Sequence, residues 1–391
     1  MKKTILFAIL TYLLFAINSI SFSQNSNESD LEKGEVLKVG VLLPLSGEFE
    51  SLGNSFLKSI QLALYDISNK DIKIYPKDSK ANPADTLIAA KEFQELGIKI
   101  VIGPIFHESL ENLDEVNKIT FISLTNKTEN IPKNAIAFGI NINSQIEILK
   151  KYFNKIELSK TLLLSPKTEF LKQTETIEES KLRFYRVFFY DTNPKKITNE
   201  IEKLTLYQER KKDLERRIQI LKKSDLYKDK NELKILEQKH TLGEVEFDSV
   251  FIIDFDERLK SVLTSFMFSD ITTDKVNFFS LNQWFDEKLF NETAVQNLHF
   301  PSINLKNLTK FKKRYYKLYN ENPNSVSLLA YDALGLIYYC WINNNKQFQS
   351  AQLFNKNGFK GLHGEFTIKG NASQQKLKIY KISKKKFLEI F

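Results

Sequence analysis

The residues that could carry acid–base or metal chemistry are few and scattered along the chain. Asp254 and Asp256 follow an apolar stretch that indicates a strand, where catalytic carboxylates can sit, but no acceptor or metal partner accompanies them. The chain has one Cys and four His, with neither an HExxH motif nor an HxH pair. It also lacks a GxSxG elbow, a P-loop and a GxGxxG stretch. The sequence therefore predicts a protein without catalysis, metal or cofactor.

Polar side chains also lie at the ends of predicted strands, where open α/β sheets bind ligands. His107, Glu108 and Ser109 follow Gly103-Pro104, and Ser123 and Thr125 lie at the end of the next strand. Hydroxyls and the N–H groups at a helix N-terminus can bind a carboxylate, whereas Glu108 would repel one. His107 has two interpretations: a ligand contact, or a hydrogen-bonded loop histidine.

The elements that would position these residues alternate between strand and helix. A near-continuous apolar strand over Leu37–Pro44 is typical of a parallel sheet covered on both faces. A helix with core positions from Phe56 to Ile67 follows, and further strands are predicted at 72–75, 98–102 and 120–124, with helices between them, one carrying Leu110 and Leu113. This rhythm predicts a doubly wound α/β sheet, which binds ligands at the carboxyl ends of its strands.

The same rhythm restarts in the second half of the chain, with strands predicted at 161–164, 184–190, 249–255 and 277–281. The charged segment 195–239 predicts a helical hairpin, either a projecting arm that binds a partner or a helix pair packed on its own lobe. The helix 327–341 is apolar nearly all round and should be buried, with Cys340 as a small hydrophobe. The tail after Gly361 predicts strand, turn and strand.

The first segment has the pattern of a signal peptide. Lys2 and Lys3 precede an apolar run over Ile5–Ile17, and Ser21-Phe22-Ser23 supplies a small-x-small cleavage site. That run is shorter than the roughly 20 residues of a membrane span. We expect export, cleavage after Ser23, and no stable membrane anchor afterwards. Because the only Cys is Cys340, the product is not expected to be a lipoprotein.

The charge balance is basic. The formal net charge is +9, and removal of Lys2 and Lys3 leaves +7. Nucleic acid is not expected as a partner, since the sequence predicts export and carries no basic-aromatic motif. The excess has two interpretations: attraction to an anionic surface such as cell-wall polymer or membrane headgroups, or a lysine-rich solvated surface.

Several pieces in order resemble the type 1 periplasmic binding protein family, which includes the leucine-binding proteins. They are Val39-Gly40-Val41-Leu42-Leu43-Pro44-Leu45-Ser46-Gly47, the segment 78–84, Val101-Ile102-Gly103-Pro104, Ala330-Tyr331-Asp332-Ala333, and Gly358-Phe359-x-Gly361 to Phe366. The similarity extends over about 36–390.

The resemblance implies two doubly wound three-layer lobes with a cleft between them, joined by three crossovers near 141, 300 and 358. After a signal peptide at 1–23 and a flexible lead at 24–35, lobe I would comprise 36–141 and 300–357. Lobe II would comprise 142–299 and 358–391, with the helical insertion at 200–240.

Within that fold, the chain is most similar to the penicillin-binding protein activators. The pointers are Ser123-Leu124-Thr125-Asn126, Gln283-Trp284-Phe285-Asp286 and the charged insertion that begins Leu206-Tyr207. This resemblance implies a noncatalytic periplasmic protein that binds and regulates a peptidoglycan synthase. The alternative is a solute-binding protein of an ABC importer for an amino acid or a related small molecule, and a third reading is an extracytoplasmic sensor.

The same resemblance implies a candidate ligand cleft. Phe49 and Ser51 stand where the family often places an aromatic side chain, and His107 replaces its usual Ser, followed by Glu108 and Ser109. Ser123 and Thr125 would line the cleft with hydroxyls. On the opposite lobe, Trp284 beside Gln283 would either close over a ligand or pack as an anchor between strand and helix.

Overall fold

The computed structural model describes residues 35–167, 182, 184–224 and 226–391. The predicted signal peptide, its cleavage site and all of the lead except Glu35 lie outside the described residues.

The first sheet has its apolar centre in β1 (Leu37–Leu43), where Val39, Val41 and Leu43 are fully buried. The other strands are β2 (Ile72–Asp78), β3 (Ile100–Ile102), β4 (Thr120–Ser123), β5 (Ala135–Ala137), β11 (Phe359–Lys360), β12 (Glu365–Lys369) and β13 (Ala372–Gln375). Their order is β11-β12-β13-β5-β4-β3-β1-β2, with parallel pairing from β13 to β2 and antiparallel pairing at β11 and β12. The carboxyl ends of β1, β3 and β4 therefore lie at one edge.

The second sheet repeats this plan. Its strands are β6 (Thr161–Pro166), β7 (Arg186–Tyr190), β8 (Ser249–Ile252), β9 (Asn277–Ser280), β10 (His299–Ser302), β14 (Lys378–Ser383) and β15 (Lys386–Glu389). Their order is β15-β14-β10-β9-β8-β6-β7, and the pairing is parallel except at β10–β14 and β14–β15, which are antiparallel. Two α/β lobes built on parallel sheets agree with the sequence-based expectation.

Helices flank both sheets. They are α1 (Glu50–Ile67), α2 (Pro83–Glu95), α3 (Ile142–Lys155), α4 (Pro194–Leu204), α5 (Tyr207–Leu221), α6 (Tyr227–Leu236), α7 (Asp256–Phe268), α8 (Leu305–Tyr319) and α9 (Leu328–Ile342). Helix α9 packs against α1. The stretch Ser325–Ile342 is apolar and long enough to cross a membrane, but most of it is buried inside the protein, as expected for a core helix. Burial raises the pKa of Cys340 to about 11, so its thiol is an inert packing group.

The helix expected around Leu110 and Leu113 is instead two short 3₁₀ turns, Glu108–Leu110 and Leu113–Val116. Asn112 separates them with a φ of +63°, a left-handed conformation that interrupts a regular helix. Both leucines are buried, so the apolar spacing located the core face but not the helix type.

The third crossover also differs from the expected position. Residues 359–375 form strands of the first sheet, whereas 358–391 were expected in lobe II. After β13, the chain enters the second sheet only at β14. Strand β10, which ends at Ser302, is also part of the second sheet, although residues from 300 onwards were expected in lobe I. The strand–turn–strand pattern of the tail indicated its conformation, but it carried no information on which sheet the strands join.

The insertion is a pair of helices anchored on the second lobe. Leu214 and Leu221 of α5 pack with Leu236 of α6 in a small separate core. The buried side chain of Arg210 donates from Nε to the Thr205 carbonyl at 3.0 Å and from Nη2 to the Ser269 carbonyl at 2.5 Å. These bonds attach the base of α5 to the end of α7. Farther out, Leu226 and Tyr227 are 67% and 81% exposed.

The three crossovers share one buried polar network. The Gln375 amide accepts a hydrogen bond from Ser144 Oγ at 2.8 Å and donates to the Gly139 carbonyl at 2.9 Å. Gln145 Oε1 accepts the backbone N–H of Asn282 at 2.8 Å, and Asn282 Oδ1 accepts Ser302 Oγ at 2.8 Å. We call these residues the crossover network. Because each is buried, its bonds cannot be exchanged for water without cost.

A carboxylate of α9 holds the start of the tail. Asp332 accepts the backbone N–H groups of Leu362 and His363, both at 2.8 Å, and the Nδ1–H of His363. Gly361 must be glycine here, because a Cβ would lie 2.6 Å from Asp332 Oδ2. The resemblance motifs Ala-Tyr-Asp-Ala and Gly-Phe-x-Gly therefore meet in space and serve to attach β11 and β12 to α9.

Asp332→Ala should lower the free energy of unfolding by about 3 kcal/mol, because it leaves several buried donors without an acceptor. The neighbouring Tyr331→Phe is the control and removes the 2.8 Å bond to Asp66, at a cost of about 1 kcal/mol. Urea unfolding measures both. Equal losses in the two variants would contradict this role for Asp332.

His299 gives the second lobe a pH dependence. The ring is buried on β10, stacks on Phe279 at 4.9 Å, and has Nδ1 3.1 Å from the Phe278 carbonyl. Burial lowers its pKa from 6.5 to about 4. Between those values the unfolded chain binds a proton that the folded chain excludes, so stability falls as the pH is lowered through this window.

His299→Gln should flatten that dependence by up to about 3 kcal/mol between pH 7 and 4, since the amide does not titrate. Urea unfolding at a series of pH values tests this, with the exposed His240→Gln as the matched control. If the wild-type and His299→Gln stability curves run parallel, the buried neutral histidine is not the source.

Candidate functional site

The loop after β1 is fixed by the carboxylate at the end of β2. Asp78 Oδ1 accepts the backbone N–H groups of Leu45 at 2.7 Å and Lys80 at 2.9 Å, and Oδ2 accepts Ser46 Oγ. Burial raises the pKa of Asp78, but these hydrogen bonds outweigh it and hold the pKa below its ordinary value. The loop is thus held in one conformation by a charged acceptor.

Phe49 and Ser51 follow this loop at the start of α1. Phe49 is 37% exposed, and its ring lies 4.6 Å from that of Phe106 in the loop after β3, which joins the two loops. Ser51 is exposed in the first turn of the helix. Helix α1 approaches the loop so closely that a Cβ on Gly53 would stand 1.8 Å from the Pro44 carbonyl oxygen.

Ser123 and Thr125 use their hydroxyls within the loops. Ser123 is fully buried and donates from Oγ to the Pro104 carbonyl at 2.9 Å, so it connects the ends of β3 and β4. Thr125 is 5% exposed, and its Oγ1 accepts the backbone N–H of Lys127 at 3.2 Å. Neither hydroxyl stands open at the sheet edge as the sequence suggested.

His107 and Ser109 carry polar atoms without a partner. The Nδ1 atom of His107 and the hydroxyl of Ser109 are buried, and neither forms a hydrogen bond within the part of the chain that the structure describes. Ser109 is fully buried and His107 is half-buried. Two such atoms two residues apart are unusual, because buried polar groups normally find partners.

Glu108 is neutralised by a neighbour that the sequence analysis did not include. Its Oε1 lies 2.8 Å from Lys127 Nζ, and this hydrogen bond is the main reason that the pKa of Glu108 lies below its ordinary value. The pair is exposed and links the loops after β3 and β4. The repulsion expected between Glu108 and a ligand carboxylate is therefore largely offset.

Trp284 lies at the end of β9, on the second lobe. It adopts a φ of +48°, its backbone N–H donates to Asn282 Oδ1 at 2.9 Å, and its half-buried ring packs against the main hydrophobic core. Asn282 belongs to the crossover network, so the position of Trp284 is coupled to that network. The ring serves as an anchor, although part of it remains accessible.

Asp254 is enclosed at the carboxyl end of the second sheet. Its Oδ2 accepts the hydroxyl of Tyr190, and its Oδ1 accepts Arg258 Nε at 3.0 Å and the backbone N–H of Phe255 at 2.9 Å. Burial raises the pKa of Tyr190 far above its ordinary range, and the Asp254 carboxylate raises it further. Asp256 is exposed, so the two acids do not form a catalytic pair.

The structure thus brings most of the predicted site residues together. Phe49 is joined to the β3 loop through Phe106, and Glu108 to the β4 loop through Lys127, whereas Trp284 belongs to the other sheet. The sequence analysis missed Lys127 and the Tyr190–Asp254–Arg258 cluster. The polar residues at the strand ends indicated that such a cluster could form. No pattern in the sequence showed that Tyr190 and Arg258 would bond to Asp254.

Two large cavities lie away from these loops. One, of about 1130 Å³, lies between α9 and the strands β11 and β12, and the other, of about 990 Å³, lies beside the insertion and is lined by Arg210, Thr241 and Asp270. None of the predicted site residues lines either cavity. Among the described residues, no group of three His, Cys, Asp or Glu side chains is arranged to hold a metal ion.

Comparison with solved structures finds the same architecture in proteins with two different roles. The C-terminal domain of LpoA from Haemophilus influenzae, described as a regulator of PBP1A, has a TM-score of 0.61 at 14% identity and covers 90% of this chain and 100% of its own. A putative branched-chain amino acid ABC transporter protein from Rhodospirillum rubrum has a TM-score of 0.69 at 12% identity, covering 91% and 100%. The leucine-binding protein LivK from Thermotoga maritima has a TM-score of 0.57 at 12% identity, covering 91% and 98%.

No family model matches the sequence. The search of curated proteins likewise finds no match. The structural similarities establish the fold: the chain has the two-lobed α/β architecture of the type 1 periplasmic binding proteins, as its motifs indicated. These structural neighbours are binding and regulatory proteins.

Substitution of Asp254 tests whether this buried carboxylate acts as a structural hydrogen-bond acceptor. Asp254→Asn should lower the free energy of unfolding by about 2 kcal/mol, because an amide cannot accept bonds from Tyr190, Arg258 and Phe255 together. Asp256→Asn, two residues away and exposed, should change it by less than about 0.5 kcal/mol. Thermal or urea unfolding compares the two. A similar small effect in both would mean that Asp254 is not a structural acceptor.

Proposed function

We propose that the chain is a noncatalytic periplasmic protein that binds and regulates a peptidoglycan synthase. The proposal is supported by the similarity to the LpoA C-terminal domain, which extends over that whole domain and nearly all of this chain. The signal-peptide pattern of the first 23 residues predicts export, which is consistent with a periplasmic location. Regulation of this kind needs a surface that a partner can recognise and requires no reactive group in the cleft.

The occupied polar groups at the strand ends carry the proposal. A receptor for a free amino acid needs open donors for the carboxylate and a reachable acid for the amine. Here the Ser123 hydroxyl donates to Pro104 and Asp254 is enclosed by Tyr190 and Arg258. Ser123 and Asp254, two groups that could bind the ends of an amino acid, thus hold the protein's own structure.

The surface that would meet the synthase lies on the insertion. Leu226 and Tyr227 are 67% and 81% exposed, side by side, at the start of α6. Large apolar and aromatic side chains that are exposed in the free protein are the usual anchors of a protein interface. Because α5 is attached at its base through Arg210, this pair is presented on a fixed support.

A second candidate function is that of a solute-binding protein for an ABC importer of amino acids or related molecules. It is favoured by the TM-score of 0.69 with the Rhodospirillum rubrum protein, and by the buried, unpartnered atoms of His107 and Ser109. A small polar ligand could satisfy those two atoms. Such a ligand would bind mainly to the first lobe.

Two measurements distinguish the candidates. The regulator should bind one of the organism's own bifunctional peptidoglycan synthases at micromolar concentration in a pull-down, and should raise its glycan-polymerising rate. Leucine, isoleucine and valine should leave the melting temperature unchanged, because a receptor at about 100 times its dissociation constant would gain about 2.7 kcal/mol and melt a few degrees higher.

A double variant locates the interface. Leu226→Ser with Tyr227→Ser should weaken synthase binding at least tenfold without changing the melting temperature, since both side chains are exposed in the free chain. Tyr65→Ser with Ile88→Ser removes a similar exposed apolar pair from the first lobe and should have no effect. If synthase binding is unchanged by the Leu226 and Tyr227 substitutions, the insertion is not the binding surface. A clear amino-acid shift with no synthase bound would favour the importer.

A further inference from the structure

Helix α8 carries an exceptional concentration of positive charge. Within Leu305–Tyr319 there are six basic residues and no acidic one. They are Lys306, Lys310, Lys312, Lys313, Arg314 and Lys317. An average exposed helix mixes both signs of charge, which stabilises it through pairs at i, i+4. This helix has no such pair within it and is held by its buried face and by the ion pair from Arg314 to α1.

Two of the six basic residues are used inside the protein. Arg314 forms an ion pair with Asp66 of α1. Lys312 is partly buried and faces Asp286 and Glu287 on the second lobe, and its burial lowers its pKa. Glu321, just beyond the end of the helix, pairs with Lys58 at 2.8 Å.

The other four lysines form a straight row, which we call the lysine stripe: Lys306, Lys310, Lys313 and Lys317. All four are exposed, and none lies within ion-pair distance of a carboxylate in the described part of the chain. At 100° per residue they fall within an arc of about 60°, and at 1.5 Å per residue the row is about 16 Å long. The buried residues of the same helix, Leu308, Phe311 and Tyr315, lie on the opposite side. The stripe thus points directly away from the core.

We propose that the lysine stripe binds the surface of an anionic phospholipid membrane. The stripe is a row of compact, hydrated point charges on the outer side of a single straight helix. A plane of phosphate headgroups needs that arrangement and no shaped pocket. Tyr316, which is half exposed and lies about 60° round the helix from the nearest stripe lysine, flanks the stripe on one side. The +7 charge expected for the exported chain would add long-range attraction.

A protein partner fits this face less well. The centre of a stable protein interface is apolar or aromatic and depleted of lysine, whereas the centre of this face consists of four lysines. The chain offers a better protein-binding feature elsewhere, in the exposed pair Leu226 and Tyr227. The membrane proposal does not rest on the proposed regulation of a synthase, so either can fail alone.

Co-sedimentation with sucrose-loaded vesicles tests the proposal. The chain should bind vesicles of phosphatidylcholine with about 30% phosphatidylglycerol at 50 mM salt, and should not bind pure phosphatidylcholine vesicles. Binding should weaken strongly at 300 mM salt, because the Debye length falls well below the 10 Å that holds at 0.1 M. Changing all four stripe lysines to Gln should reduce the partition coefficient at least a hundredfold, since each lysine near the surface contributes roughly fivefold.

The matched control changes four other exposed lysines, Lys70, Lys73, Lys118 and Lys133, to Gln, with the same change in net charge. It should retain binding within about threefold, and both variants should melt like the parent. Equal loss in both variants would mean that net charge alone attracts the chain, and would overturn the proposal. So would binding to pure phosphatidylcholine, or stripe-dependent binding to polyglutamate with none to anionic vesicles, which would indicate an acidic protein instead.

Discussion

The relative position of the two sheets depends on a few buried amides and hydroxyls where the chain passes between them. The start of α3 supplies Ser144 and Gln145, which bind Gln375 at the third crossover and Asn282 beside the second. A buried amide that loses its partner is left desolvated, so breaking any of these bonds is costly. The crossover network therefore holds the connecting segments against one another.

At the carboxyl edges of the sheets, too, polar groups form hydrogen bonds within the protein. In an open α/β sheet, polar groups at strand ends are the natural place for a ligand. Here Asp78, Ser123 and Asp254 are all strand-end groups, and each holds backbone or side chains of its own lobe. At that edge of the first sheet, His107 Nδ1 and the Ser109 hydroxyl remain without a partner among the described residues. On the surface, an apolar pair on the insertion and a row of lysines on α8 are exposed. The fold is that of the structural neighbours, which include both amino-acid-binding and regulatory proteins.

Much of the fold could be predicted because its information is local. The buried run of β1 and the helical spacing of Phe56, Ile60 and Ala63 indicated their structures directly. The sheet joined by residues 359–375 could not be predicted from pattern, since the attachment depends on Asp332, about 30 residues earlier. The bonding state of the candidate site residues was equally hard to predict. Ser123 has the residue type of a ligand contact, and only the distance to the Pro104 carbonyl shows that its hydroxyl is already engaged.

The strand order has a consequence for how the chain reaches this structure. Residues 37–137 form the first five strands of the first sheet, but β11, β12 and β13 come from residues 359–375. The second sheet is likewise completed only when β14 and β15 have been synthesised, after most of its other strands. Neither lobe is thus a contiguous folding unit, and contacts of such long sequence separation form slowly. A chain that emerges from its N-terminus has to keep two unfinished sheet edges from pairing with other chains until its last residues arrive.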